Sequence, residues 1–203
     1  MQNKDIIDEI VQMEWEMLQK VRGLDGRAAC QNDHGTFYIM RFSNYAPWPE
    51  ALLLSYTQDL KRAVDENRNL VLEKYAYMMS LSDSAYYKAN LADFLPRPNP
   101  YLAKMIREIV DYLLDCEQKL QEKYPKICTK GRKLNTSEFD VRFASIETYA
   151  TGELRTYSAK TLRLFLDFVR EEKARGGNLA VEIRTIMVQM YGYASLDEAE
   201  ERM

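Results

Sequence analysis

The chain has 203 residues, 46% of them apolar and 29% charged, which is enough for one substantial core. Its net charge of −3, with both signs spread along the chain, lacks the basic field that drives phosphate-backbone binding, so nucleic acid is disfavoured as a partner. No apolar run reaches the roughly 18 residues of a membrane span and polar residues follow Met1, so the expectation is a soluble cytoplasmic protein with no membrane association.

From Gln2 to Arg22, Ile6, Ile10, Met13, Met17 and Val21 recur at helical spacing, with Ile7, Val11, Trp15 and Leu18 as a second stripe. The glycines of Gly23-Leu24-Asp25-Gly26 suit a left-handed cap ending this helix. A polar loop, Arg27 to Gly35, leads to a short helix from Thr36 to about Ser43. Pro47-Trp48-Pro49 breaks the chain, and Pro49 suits the first turn of the next helix, which runs to Val64. Asn67 turns the corner and Asn69 caps a further helix, followed by a short helical piece from Ser84 to Phe94.

Residues 95–100 hold three prolines and read as an extended connector. Beyond it, Leu102, Ile106, Ile109, Leu113, Cys116 and Leu120 form an amphipathic stripe, and Tyr124 to Thr136 reads as a loop. Helices are expected from Ser137 to Ala150 and from Ser158 to Arg175, with Thr151-Gly152 as a kink or break between them. Asn178 to Tyr191 and a final helix opened by the capping-box sequence Ser195-Leu196-Asp197-Glu198 complete the chain. No segment alternates as a strand.

The pattern of Phe37 to Met79 returns at Ile146 to Val188 with a constant shift of 109 positions. Leu53/Leu162, Asn69/Asn178, Leu70/Leu179, Glu73/Glu182 and Met78/Met187 are identical across it, and pairs such as Trp48/Tyr157 and Lys61/Arg170 keep their character. Ile109-Val110 also matches Ile10-Val11, there at a shift of 99. The expected fold is therefore all-α: two tandem pseudo-symmetric multi-helix units, 1–94 and 101–203, joined by the connector 95–100 and packed into one compact helical body.

The three cysteines, Cys30, Cys116 and Cys128, have no close paired spacing, so they read as reduced thiols rather than disulfides or zinc ligands. Cys116 lies on an apolar stripe and is expected to be buried, with Cys30 more accessible. One histidine is too few for a di-iron bundle, and phosphate-loop, dinucleotide and nucleophile-elbow patterns are absent, so no metal or cofactor is expected. The candidate site gathers Arg27, Cys30, Asp33 and His34 from the first loop with Arg41, Glu147, Glu153 and Arg155. Cys30 and His34 have the types of a nucleophile and its base, and the guanidinium groups suit a carboxylate or phosphate. The same charges would equally serve as ion pairs between packed halves, with Glu73 or Glu147 as the partner expected for Arg41.

Glu14-Trp15-Glu16-Met17, Gly26-Arg27-Ala28-Ala29-Cys30-Gln31, Phe37-Tyr38-Ile39-Met40-Arg41, Asn69-Leu70 with Glu73-Lys74-Tyr75-Ala76, and Tyr191-Gly192-Tyr193-Ala194-Ser195-Leu196 together resemble an uncharacterised bacterial family, domain-of-unknown-function family 4125, over nearly the whole chain. The resemblance implies no activity, cofactor or catalytic residue. The resemblance implies an acidic residue after the phenylalanine, and this chain departs from it with Tyr38, which counts against a site built there.

The expectation for function is a binding or accessory module that holds a partner protein or a small anionic ligand between its two units. The alternative is an enzyme acting on a small carboxylate- or phosphate-bearing substrate through the Arg27 to His34 loop. The sequence leaves open whether the protein is an enzyme.

Overall fold

The computed structural model describes residues 2–22, 26–96, 99–129, 131–135 and 144–203, and these contain helices and no strand. The first helix, α1 (Gln2–Gln19), buries Ile7, Ile10, Val11, Met17 and Leu18. It stops before the glycines because a side chain finishes it: Gln31 Nε2 donates to the carbonyls of Leu18 (2.6 Å) and Val21 (3.1 Å), satisfying helix-end acceptors. Gly23 lies outside the described residues.

The second helix, α2 (His34–Tyr45), starts two residues ahead of expectation, since the Asp33 carboxylate caps it by accepting from Thr36 N at 2.9 Å. Pro49 is the N-cap of α3 (Glu50–Asp65) rather than a residue of its first turn. Asn67, at φ 53°, turns the chain, and Asn69 caps α4 (Leu70–Ser82) by accepting from Leu72 N at 2.9 Å. Helix α5 (Ser84–Asn90) and a 3-10 turn (Ala92–Phe94) follow.

Pro100, expected in the connector, is the first residue of α6 (Pro100–Lys123), where its missing N–H costs nothing. The expected loop after α6 contains a helical turn, α7 (Pro125–Thr129), whose Lys126 and Ile127 amides donate to the Glu200 carboxylate at 2.8 and 2.9 Å. Helix α8 (Ile146–Leu154) is opened by the Ser145 hydroxyl, so the helix expected from Ser137 begins at residue 146; residues 137–143 lie outside the described set. It runs unbroken through Thr151 and Gly152. Helices α9 (Ala159–Ala174), α10 (Leu179–Met190) and α11 (Leu196–Arg202) are capped by Ser158, Asn178 and Ser195.

Helices α3 and α9 pack together at the centre, where Ser55 and Thr161 hydroxyls meet at 2.8 Å and Asp59 accepts from Thr161 Oγ1 at 2.6 Å and Ser158 N at 2.9 Å. Leu52, Leu53, Leu60 and Leu162 are fully buried there, each worth about 1.5–3 kcal/mol relative to exposure. Around this centre α1 packs on α3 and α4, and α6 on α9 and α10. Two further contacts join early and late parts of the chain: α4 lies on α8, and α10 on α2. Among the described residues, no helix is long and apolar enough to cross a membrane.

Candidate functional site

Where α1, α2, α4 and α8 converge, their apolar faces carry four charges. Glu14 sits one turn from Ile10, Val11, Met17 and Leu18, which forces its carboxylate into the interior. Arg41 meets it bidentately, Nε to Oε2 and Nη2 to Oε1, both at 2.6 Å. The same guanidinium donates to Glu153 Oε1 at 2.8 Å, and Lys74 Nζ reaches Glu153 Oε2 at 3.3 Å and the Tyr149 hydroxyl at 2.7 Å. Tyr45 and Tyr56 hydroxyls donate to Glu14 Oε1 at 2.6 and 2.7 Å, and Tyr157 to Glu153 Oε1 at 3.1 Å.

Two carboxylates thus face two cations, and the lone pairs left over are taken by tyrosine hydroxyls, the condition under which buried charge is tolerated. Burial by itself would raise the Glu153 carboxyl; Arg41 and Lys74 overcome it and hold the group below its ordinary value. Burial would lower Lys74, and Glu153 reverses that, keeping the ammonium charged. Burial, reinforced by the nearby Glu14 carboxylate, pushes the Tyr56 hydroxyl well above its ordinary range.

Two cavities flank this cluster and share Met40, Arg41, Arg132 and Tyr149 as a dividing wall. The smaller, about 380 Å³, runs from Cys30 and Asp33 past Phe37 and Tyr75 to Lys74. The larger, about 660 Å³, lies between α2, α6, α8 and α10 and is walled by Leu113, Glu117, Ile183, Arg184 and Met187, with Arg132 and Lys133 at its side. Arg132 lies over the Tyr149 ring at 4.7 Å and donates to Ala144 O at 3.1 Å. Arg184 differs from the other guanidinium groups of the cleft: its Nε is buried and has no hydrogen-bond partner.

The residues expected to form one site are divided. Arg41 and Glu153 belong to the buried cluster, and the partners of Arg41 are Glu14 and Glu153 rather than Glu73 or Glu147. Glu73 is held by Arg68 at 2.8 Å, and Glu147 faces Arg107 at 3.5 Å near the surface. Arg27 ties its own loop together, donating to Asn32 Oδ1 at 3.1 Å, to Gln31 O at 2.8 Å and to Gln19. Asp33 is a helix cap, and the Thr36 amide it accepts holds its carboxyl below the ordinary range. His34 rests edge-on against Trp15 at 4.9 Å, with no hydrogen bond to Cys30. Arg155 donates to Ser80 Oγ at 2.7 Å and lines a separate cavity.

Glu14, Lys74, Glu117 and Arg184 were not among the expected residues. Each carried one readable signal: a charge in the middle of a buried helical stripe, as Lys74 lies among Leu70, Val71, Tyr77 and Met78.

The model of a family described as protein of unknown function, DUF4125, matches residues 4–201. The chain belongs to this family. No curated protein and no solved structure matches it. For this DUF4125 chain, chemistry must therefore be argued from the two cavities and the charges that line them.

Proposed function

We propose that this DUF4125 protein is a binding module that holds a small carboxylate- or phosphate-bearing ligand in the larger cleft, between α2, α6, α8 and α10. The observation that carries the reading is the Arg184 guanidinium, whose buried Nε lacks a partner at the wall of a cavity of about 660 Å³. A buried donor without an acceptor costs about 1–3 kcal/mol, and an anion that draws the guanidinium into the cavity, where Nε can donate, removes that cost. Arg132 adds positive charge to the same wall. The enzyme reading through the first loop has less behind it, since Arg27 and Asp33 are committed to local hydrogen bonds and Cys30 and His34 make no hydrogen bond to each other.

The cleft is also the meeting place of two copies of one unit, in the reading that divides the chain into 1–94 and 101–203 about the connector 95–100. Several contacts support it. Asn69 Nδ2 donates to Met17 O at 2.8 Å, and Asn178 Nδ2 to Cys116 O at 3.2 Å. Lys61 pairs with Glu9 at 2.7 Å, and Arg170 with Glu108 at 2.6 Å. Under the same correspondence the two cavities are equivalent places. Leu18 and Tyr75 in the smaller one stand where Glu117 and Arg184 stand in the larger.

The test is thermal unfolding of the full chain with phosphate, pyrophosphate, acetate, citrate and sulfate, beside Arg184→Gln. A ligand that binds only the folded state raises Tm. The expected result is a rise with at least one of these anions that Arg184→Gln abolishes. A panel that leaves Tm unmoved, or a rise that survives the substitution, rejects the reading.

A further inference from the structure

Glu117 is the one carboxylate among the described residues lining the larger cavity. It sits on α6 between Leu113 and Leu120, and Arg184 faces the same space from α10, which packs on α6. Among the described residues, neither side chain forms a hydrogen bond or ion pair with the other or with a third group, although each lies within the other's field. Charges buried elsewhere are paired in several places: Glu73 with Arg68, and Glu153 with Lys74 and Arg41. Glu117 and Arg184 instead line the same cavity without an ion pair between them.

A simple anion on Arg184 would place a second negative charge before Glu117, and a simple cation on Glu117 would place a second positive charge before Arg184. One molecule bearing both charges satisfies both walls. Leu113, Ile183 and Met187 supply an apolar surface beside the two charges, and about 660 Å³ exceeds what the charged atoms alone would fill. We propose that the ligand is a zwitterion of amino-acid type with an apolar side chain, its carboxylate on Arg184, its ammonium on Glu117 and its side chain against Leu113, Ile183 and Met187. Burial raises the Glu117 carboxyl above its ordinary value while Arg184 works against it, and a bound ammonium would restore the charged form. This assignment rests on the anion-binding reading of the same cleft and narrows its ligand class.

The experiment is calorimetric titration of the full chain with three series of probes. The first holds leucine, phenylalanine and leucyl-leucine; the second, 4-methylpentanoate and 3-phenylpropanoate, which lack the amino group; the third, 3-methylbutylamine and 2-phenylethylamine, which lack the carboxylate. At least one zwitterion is expected to bind about tenfold or more tighter than its one-charge analogues, the scale of one charge-assisted hydrogen bond. Glu117→Gln is expected to erase that margin by weakening the zwitterions while the carboxylates bind no more weakly than before, and Arg184→Gln to weaken both. Equal binding of amino acids and their desamino analogues overturns the assignment, as does a margin that survives Glu117→Gln. The comparison within wild-type protein stands even if a variant fails to fold. If phosphate or acetate binds and no zwitterion does, this inference alone falls; if no anion of any kind binds, the anion-binding reading falls with it.

Discussion

Gly152 lies against Met78 so closely that a Cβ built on it would stand 2.5 Å from Met78 Cγ and 2.9 Å from the Lys74 carbonyl oxygen. The glycine that reads as a helix break is instead the point where α8 settles onto α4. Met78 could swing aside, but the Lys74 carbonyl is backbone and cannot. Gly152→Ala should therefore destabilise the protein by about 1–2 kcal/mol, the cost of overpacking outweighing the gain in helix propensity. Denaturant unfolding measures this, and an unchanged or higher midpoint would show that the two helices have slack.

The Arg41–Glu14 pair is expected to behave as a unit. Removing one partner leaves the other charge buried, which costs about 3–5 kcal/mol, so Arg41→Ala and Glu14→Ala should each be severe and the double variant much less than additive. Arg41→Lys should rescue little, because an ammonium cannot reproduce the two parallel bonds at 2.6 Å. Additive losses in the cycle would mean that the contact is energetically idle.

Stability should depend on pH through two carboxyl groups of opposite sign. Glu153 is depressed in the folded state, so its contribution is fully present above its ordinary value of 4.5 and is lost as pH falls through the folded value. Glu117 is raised in the folded state. Relative to the ionised form, the protonated carboxyl favours folding, an advantage fully present below its ordinary value of 4.5 and lost as pH rises through the folded value. Glu117→Gln should accordingly raise Tm at pH 7 and leave it unchanged near pH 4. A lower Tm for the variant at pH 7 would place Glu117 in a stabilising pair.

The three thiols should separate in a labelling time course with a thiol reagent. Cys30 is exposed, Cys128 is half-buried with a thiol pushed up by burial, and Cys116 is buried under α6. The expected order of modification in the folded protein is Cys30, then Cys128, with Cys116 protected until unfolding. Early labelling at Cys116 would mean that α6 opens locally.

Much of the helical layout was legible because it depends on near neighbours. Stripes at helical spacing, and caps such as Asn69, Asn178 and Ser195, are set by residues within a few positions of one another. The misplacements come from a distant chain segment or a close approach: Gln31 finishing α1, Glu200 receiving the amides of α7, and Gly152 serving contact rather than flexibility. The site was less legible. Arg41 stood out by position, but its partners come from α1 and α8, and spacing says nothing about which helices will touch. Charges within apolar stripes at Glu14, Lys74, Glu117 and Arg184 were visible, and only packing separates the pair that is satisfied from the pair that is not.

The crossing over of α4 onto α8 and of α10 onto α2 has a consequence for synthesis. When α4 leaves the ribosome, α1 is already there to receive it but α8 is not; the surface is completed only when Leu154 follows. Until then Glu14, Arg41 and Lys74 gather one negative and two positive charges in an apolar bed, and a chain stopped short would keep that imbalance. Glu153, arriving last, brings the interior to electrical neutrality. The cluster thus makes the charge balance of the early half's interior conditional on the late half.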